Sequence, residues 1–243
     1  MRQTYYGYRL ILAAFVAQFV AVGAQNYVIG PFMIPMITEL DWTRAEFTLP
    51  RSIGQVVMAF TGFFIGGLVD RKGARGFMLA GTVILAASLF ALSLVHTLWH
   101  WIVLNGIALT LGAALMGNLV VNVTLAKWFV DFRGRAVAFA AMGISFAGVL
   151  LTPFATWAID NYGWRIAWQM LSVGTLILVI PASLAMRRAP EDYGLNPDGR
   201  SQKDVDSGLT QKAVDDFNQS MTRRQALGNS TFYWLVLAFG MFG

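Results

Sequence analysis

The polar side chains of this sequence stand inside long apolar runs. An amide or guanidinium without a partner is costly there, so their spacing is informative. Gln18 and Gln25 are seven residues apart and share a helical face, with Asn26 beside them. Arg51, Gln55, Met58 and Gly62 form a second stripe, and Asn118 and Asn122, four apart, a third. Ser145, Gly148, Thr152 and Thr156 line one side of a further run. Such groups can exchange hydrogen bonds with a polar solute. Two readings stay open for each: Ser and Thr in apolar helices also bond their own backbone, and the carboxamides fit cavity lining or internal packing equally. Arg51 suits an interfacial guanidinium or a solute anchor.

Other chemistry finds no support. With no cysteine there is no disulfide, thiolate zinc site or thiol nucleophile. The clusters of His, Asp, Glu or Ser that a membrane-embedded enzyme needs near a membrane face do not occur, so no enzyme, cofactor or metal is expected. The net charge of +5 does not point to nucleic acid, because the basic residues lie in short clusters between apolar runs.

The elements that carry these residues are membrane helices. Of 243 residues, 56% are hydrophobic and 13% charged, about half the charged share of a soluble domain. A bilayer core ~30 Å thick needs about 20 apolar residues per helix. Six charge-free stretches qualify, near Leu10–Thr38, Ser52–Val69, Gly76–Val95, Trp101–Ala126, Ala136–Ile159 and Ile166–Met186. A seventh begins near Phe232 and is interrupted at Gly243. The first stretch is too long for a cleaved signal peptide. Residues 1–186 are therefore read as a six-helix transmembrane bundle, 187–228 as a linker, and 229–243 as the truncated start of a seventh helix. The expectation is a fragment, or a product that stops early.

Of the 18 Lys and Arg, only Arg44, Arg51 and Arg165 fall on one side of the bundle. The positive-inside rule places the N-terminus and the linker in the cytoplasm of a multi-pass protein of the cell membrane. The second and third stretches are joined by Asp70-Arg71-Lys72-Gly73-Ala74-Arg75, the fifth and sixth by Asp160-Asn161-Tyr162-Gly163-Trp164-Arg165. Both read D-x-x-G-x-R, on opposite sides of the membrane. This points to two inverted three-helix repeats, an architecture of transporters.

Gly66 through Arg75 fits G-x-x-x-D-R-x-G-x-R, with Gly66, Asp70, Arg71, Gly73 and Arg75 at the named positions. This resembles the cytoplasmic signature of the major facilitator superfamily. A boundary carboxylate needs a cation or a helix N-terminus. The resemblance implies that Asp70 and an Arg form a latch that breaks and reforms in alternating access. Trp128-Phe129, Arg133-Gly134-Arg135-Ala136, Gly143 and Gly148 resemble the oxalate/formate antiporter and monocarboxylate carrier branch, as do Gly163-Trp164-Arg165 and the run Pro190 to Gly199. That branch implies an all-α membrane fold, of which this chain supplies one six-helix half. It also implies secondary active transport of a small organic solute, carboxylates among the candidates, with a proton or a counter-substrate. The partners implied are the solute, the lipid bilayer and the missing C-terminal half. The fourth-span Arg of many proton-coupled members is absent, with Asn105 and Ala108 in that vicinity. A half-length carrier acting as a dimer, and a non-transporting sensor or assembly protein, remain alternatives.

Overall fold

The computed structural model describes residues 5–199, 228–230 and 233–234. The chain divides into two compact units, residues 1–199 and 200–243, and the helical bundle occupies the first. Linker residues 200–227 and most of the expected seventh helix lie outside the described residues.

Among the described residues the fold is all-helical, with five helices long and apolar enough to cross a membrane: α1 (Gly7–Leu40), α2 (Arg44–Lys72), α3 (Ala74–Leu92), α4 (Leu98–Trp128) and α5 (Arg133–Ala185). At 53 residues, α5 would be about 80 Å long if straight, far beyond one crossing. It is interrupted at Gly163, whose φ of 80° and ψ of 159° are non-helical, leaving two arms, residues 133–162 and 164–185.

Local chemistry sets the boundaries. Asp41 takes a left-handed conformation and ends α1. At the start of α2, Thr43 Oγ1 accepts from the Glu46 amide while the Glu46 carboxylate accepts from the Thr43 amide, a reciprocal capping box. Gly73, at φ 81° and ψ 166°, separates α2 from α3. Gly73 and Gly163 occupy the same position in the two D-x-x-G-x-R turns and have nearly the same torsions. That conformation is essentially confined to glycine, so the sequence repeat is also a backbone repeat.

Two helices are not regular. Residues Gly23–Tyr27 of α1 and Ile102–Leu109 of α4 are wound as π-helix, and α4 is interrupted again at Gly117. Such bulges are frequent at functional sites because they turn side chains out of the regular register.

The helices pack through small residues and aromatic anchors. A methyl group on Gly112 would lie 2.6 Å from the Leu85 amide nitrogen, so α3 and α4 touch backbone to backbone. Phe32 of α1 stacks on Trp168 of the second α5 arm at 3.8 Å. Trp101 stacks on Phe47 at 4.7 Å and donates its indole N–H to the Phe47 carbonyl at 2.9 Å, joining α4 to α2.

Residues 187–199 lie against one end of this bundle. The Arg187 guanidinium sits 3.8 Å from the Tyr6 ring centre and 4.0 Å from that of Tyr193. Arg188 forms a two-pronged ion pair with Asp192 and holds its carboxyl below the usual range. The Asp198 carboxylate accepts from the amides of Val130, Asp131 and Phe132, just before α5 begins. Tyr5 donates its hydroxyl to the Trp128 carbonyl at 2.9 Å. Burial, then the nearby Asp198 charge, pushes this phenol up to about 12.

Candidate functional site

A cavity of about 460 Å³ is walled by α1, α2 and α4, with Ile144 from α5 at its margin. Each wall has a stated origin. The π-turn of α1 carries Gln25 and Asn26 into it. The first half of α2 supplies Pro50, Arg51, Gln55, Met58 and Ala59, which recur at helical spacing along one face. The π-turn of α4 supplies Asn105, followed by Thr110, and Asn118 enters just after the break at Gly117. Both irregular helices therefore spend their irregularity here, and each delivers carboxamides.

Polar groups within the cavity are sparsely committed to one another. Gln25 Nε2 reaches the Met58 sulfur at 3.8 Å, a weak contact. Thr110 donates to the Asn105 carbonyl at 3.3 Å. Among the described residues no carboxylate lies within ion-pair distance of Arg51. Asn26, Arg51, Gln55 and Asn118 are exposed in this unit, so the cavity is open along that side. Several donors, several acceptors and a single fixed cation can bind a small polar molecule, with a preference for an anionic group.

Of the residues singled out by pattern, Gln25, Asn26, Arg51, Gln55 and Asn118 come together in this cavity. Gln18 does not line it: the side chain is fully buried, with neither amide atom bonded among the described residues. Asn122 lies beyond the lining and donates to Asn118 Oδ1 at 3.4 Å. Ser145 is exposed next to Ile144 without lining the cavity. Thr152 bonds the Tyr27 carbonyl at 3.4 Å, behind the α1 π-turn. Asn105 also lines the cavity, a position that the spacing of the polar stripes does not single out. The signal that would have found it is a carboxamide in an otherwise apolar stretch, the criterion that selected Asn118.

At the end of the bundle where residues 187–199 lie, Asp70 pairs with Lys127. The Lys127 ammonium is 3.3 Å from Asp70 Oδ1 and donates to the Asp70 carbonyl at 2.8 Å. The carboxylate thus meets a cation, on the last turn of α4, a residue the motif does not include. Arg133 opens α5 and is exposed, as are Arg71 and Arg75. Gly66 faces open space, whereas a methyl group on Gly73 would lie 2.9 Å from Arg188 Cβ.

The family model described as Major Facilitator Superfamily matches residues 14–243. Monocarboxylate transporter 13 of Rattus norvegicus is 24% identical over 179 residues, covering 74% of this chain and 41% of the relative. A riboflavin transporter of Saccharomyces cerevisiae is 31% identical over 147 residues, covering 56% of this chain and 28% of the relative. A glycerol-3-phosphate transporter of Bacillus subtilis is 21% identical over 214 residues, covering 84% and 47%. The chain thus spans less than half the length of these relatives. In fold it is similar to a bacterial homologue of the human lysosomal transporter Spinster, solved inward-facing and unoccupied. The TM-score is 0.66 at 15% identity, over 89% of this chain and 50% of that one.

Proposed function

Because the chain belongs to the Major Facilitator Superfamily, a family of membrane solute transporters, we propose that it is one half of a secondary active carrier for a small organic carboxylate. The observation that carries this reading is the open cavity, where Arg51 is the one charged side chain among Gln25, Asn26, Gln55, Asn105 and Asn118. A lone guanidinium flanked by amides matches a carboxylate with further polar groups. The similarity to a rat monocarboxylate transporter favours the same class.

In this reading the break at Gly163 makes α5 two spans, giving six in two inverted three-helix repeats. A second six-helix half closes the exposed side of the cavity, and rocking of the two halves gives alternating access. The 15 Lys and Arg that gather toward the Asp70 end and the linker, against three elsewhere, put that end and the N-terminus in the cytoplasm of the cell membrane. Asp70 and Lys127 form the cytoplasmic contact that is made and broken, with Gly66, Arg71, Gly73, Arg75 and Arg133 around it. No Asp, Glu or Lys lines this cavity, so proton coupling would place its titrating group in the other half, whereas exchange for a counter-solute needs none.

The test is exchange of labelled monocarboxylates, dicarboxylates and neutral solutes in vesicles holding this chain with and without a companion six-helix half. Saturable carboxylate exchange should need both halves and be lost in Arg51→Gln. Exchange by the chain alone would favour a half-length dimer. Uptake of a neutral solute untouched by Arg51→Gln would overturn the carboxylate assignment.

A further inference from the structure

The two D-x-x-G-x-R turns do more than end helices. The turn before α3 holds Asp70, which pairs with Lys127 on the last turn of α4. The turn before the second arm of α5 holds Arg165, which pairs with Glu39 on the last turn of α1. In each case the junction between the second and third helices of one repeat grips the last turn of the first helix in the other. The charges are reversed: the first turn uses its acid, the second its base. The two grips lie at opposite ends of the bundle.

We infer that Glu39, Trp164 and Arg165 form a clamp that positions the far end of α1, as the counterpart across the internal repeat of the Asp70–Lys127 contact. An exposed ion pair alone contributes little, and these two side chains are 33% and 49% exposed. Here three contacts converge. Arg165 Nη1 bonds Glu39 Oε1, and Trp164 Nε1 donates to Glu39 Oε2 at 2.6 Å. The Arg165 guanidinium also lies 4.0 Å from the Trp164 ring centre, a cation–π contact that holds it in place. Trp164 is itself 4% exposed, so the indole donor is fixed by packing.

The clamp completes a pattern along α1. At its start Tyr6 donates to the Ala185 carbonyl at 2.8 Å, at the end of the second α5 arm. Seven residues before Glu39, Phe32 stacks on Trp168, about one turn into that arm. Glu39 then binds the beginning of the arm. The π-turn that carries Gln25 and Asn26 is therefore suspended between two fixed ends. Position, rather than solute contact, is the role assigned to Glu39, Trp164 and Arg165, and it does not depend on what the cavity binds.

The chain has no cysteine, so spin labels can be placed at will. One pair at Thr38 and Asn161 reports the clamp without replacing any member of it. A second pair at Gly76 and Gly134, where added side chains meet nothing within 4 Å, reports the opposite end. Distances are read by electron double resonance in lipid nanodiscs. The parent should give one narrow Thr38–Asn161 distance. Glu39→Gln and Arg165→Gln should each shift it to a longer, broader distribution while leaving Gly76–Gly134 unchanged. Arg165→Lys, which keeps the cation beside Glu39 and the Trp164 ring, should recover a narrower distribution than Arg165→Gln. The clamp is overturned if Glu39→Gln leaves the Thr38–Asn161 distance as in the parent. It is equally overturned if Arg165→Lys is as broad as Arg165→Gln. Should a neutral variant disturb both label pairs, Arg165→Lys decides.

Discussion

Gly73 and Gly163 share a motif and a torsion, yet they sit in different surroundings. Around Gly73 the chain is covered: residues 187–199 lie on that end, with Arg188 against the glycine and Asp198 on the amides before α5. A methyl group on Gly163 would meet nothing within 4 Å. The backbone requirement is thus common to both turns, while the steric requirement belongs to one. Equal sequence need not mean equal energetic weight.

The strongest way to break this comparison is Gly73→Ala, which adds an overlap with Arg188 to the torsional strain. The expected loss is about 2–6 kcal/mol, combining strain of ~1–3 with overpacking of ~1–3. Equilibrium unfolding of the purified chain in mixed micelles measures it. Removing the neighbouring Cβ with Arg188→Gly should bring the cost of the alanine down to that of Gly163→Ala, a coupling that a double-mutant cycle reads directly.

Asp198→Ala comes next, at about 2 kcal/mol. Three amides lose a charged acceptor, and water replaces part of it because the loop is partly exposed. Proteolysis at residues 129–133 should accelerate in parallel. Gly163→Ala should cost about 1.5 kcal/mol, from torsion alone. If it costs as much as Gly73→Ala, the steric difference between the turns is not real.

The smallest effect sharpens the account of the covered end through pH. The Tyr5 phenol is raised from 10.0 to about 12, by burial first and then by Asp198. A group raised in the folded state stabilises fully below its unfolded value and loses that contribution as pH rises through the folded one. Stability should therefore decline between pH ~10 and ~12 in the parent. Tyr5→Phe should lack this component of the decline, at the expense of the bond to the Trp128 carbonyl. Thermal unfolding across that pH range separates the two.

Much of the candidate cavity was legible because carboxamides are rare in apolar helices. Gln25, Asn26, Gln55 and Asn118 stand out that way, and the structure gathers them with Arg51. Regular helical spacing misled where the helix is not regular. Gln18 and Gln25 share a face only if the winding between them is α, and the π-turn starts at Gly23. Gln18 is therefore core while Gln25 lines the cavity. Asn105 would lie about 220° around a regular helix from Asn118. The π-turn at Ile102–Leu109 and the break at Gly117 bring both to one wall.

By itself the sequence determined the apolar helices, the two glycine turns and the amide-rich faces of α1 and α2. These follow from hydropathy, torsional limits and short-range periodicity, all properties of neighbouring residues. Only the tertiary structure decided that Asp70 meets Lys127, 57 residues on, and that Glu39 meets Trp164 and Arg165, some 125 residues on. Such pairings depend on which helices pack side by side. That choice is made by summed contacts such as Gly112 on Leu85 and Phe32 on Trp168, which leave no local mark on the charges they bring together.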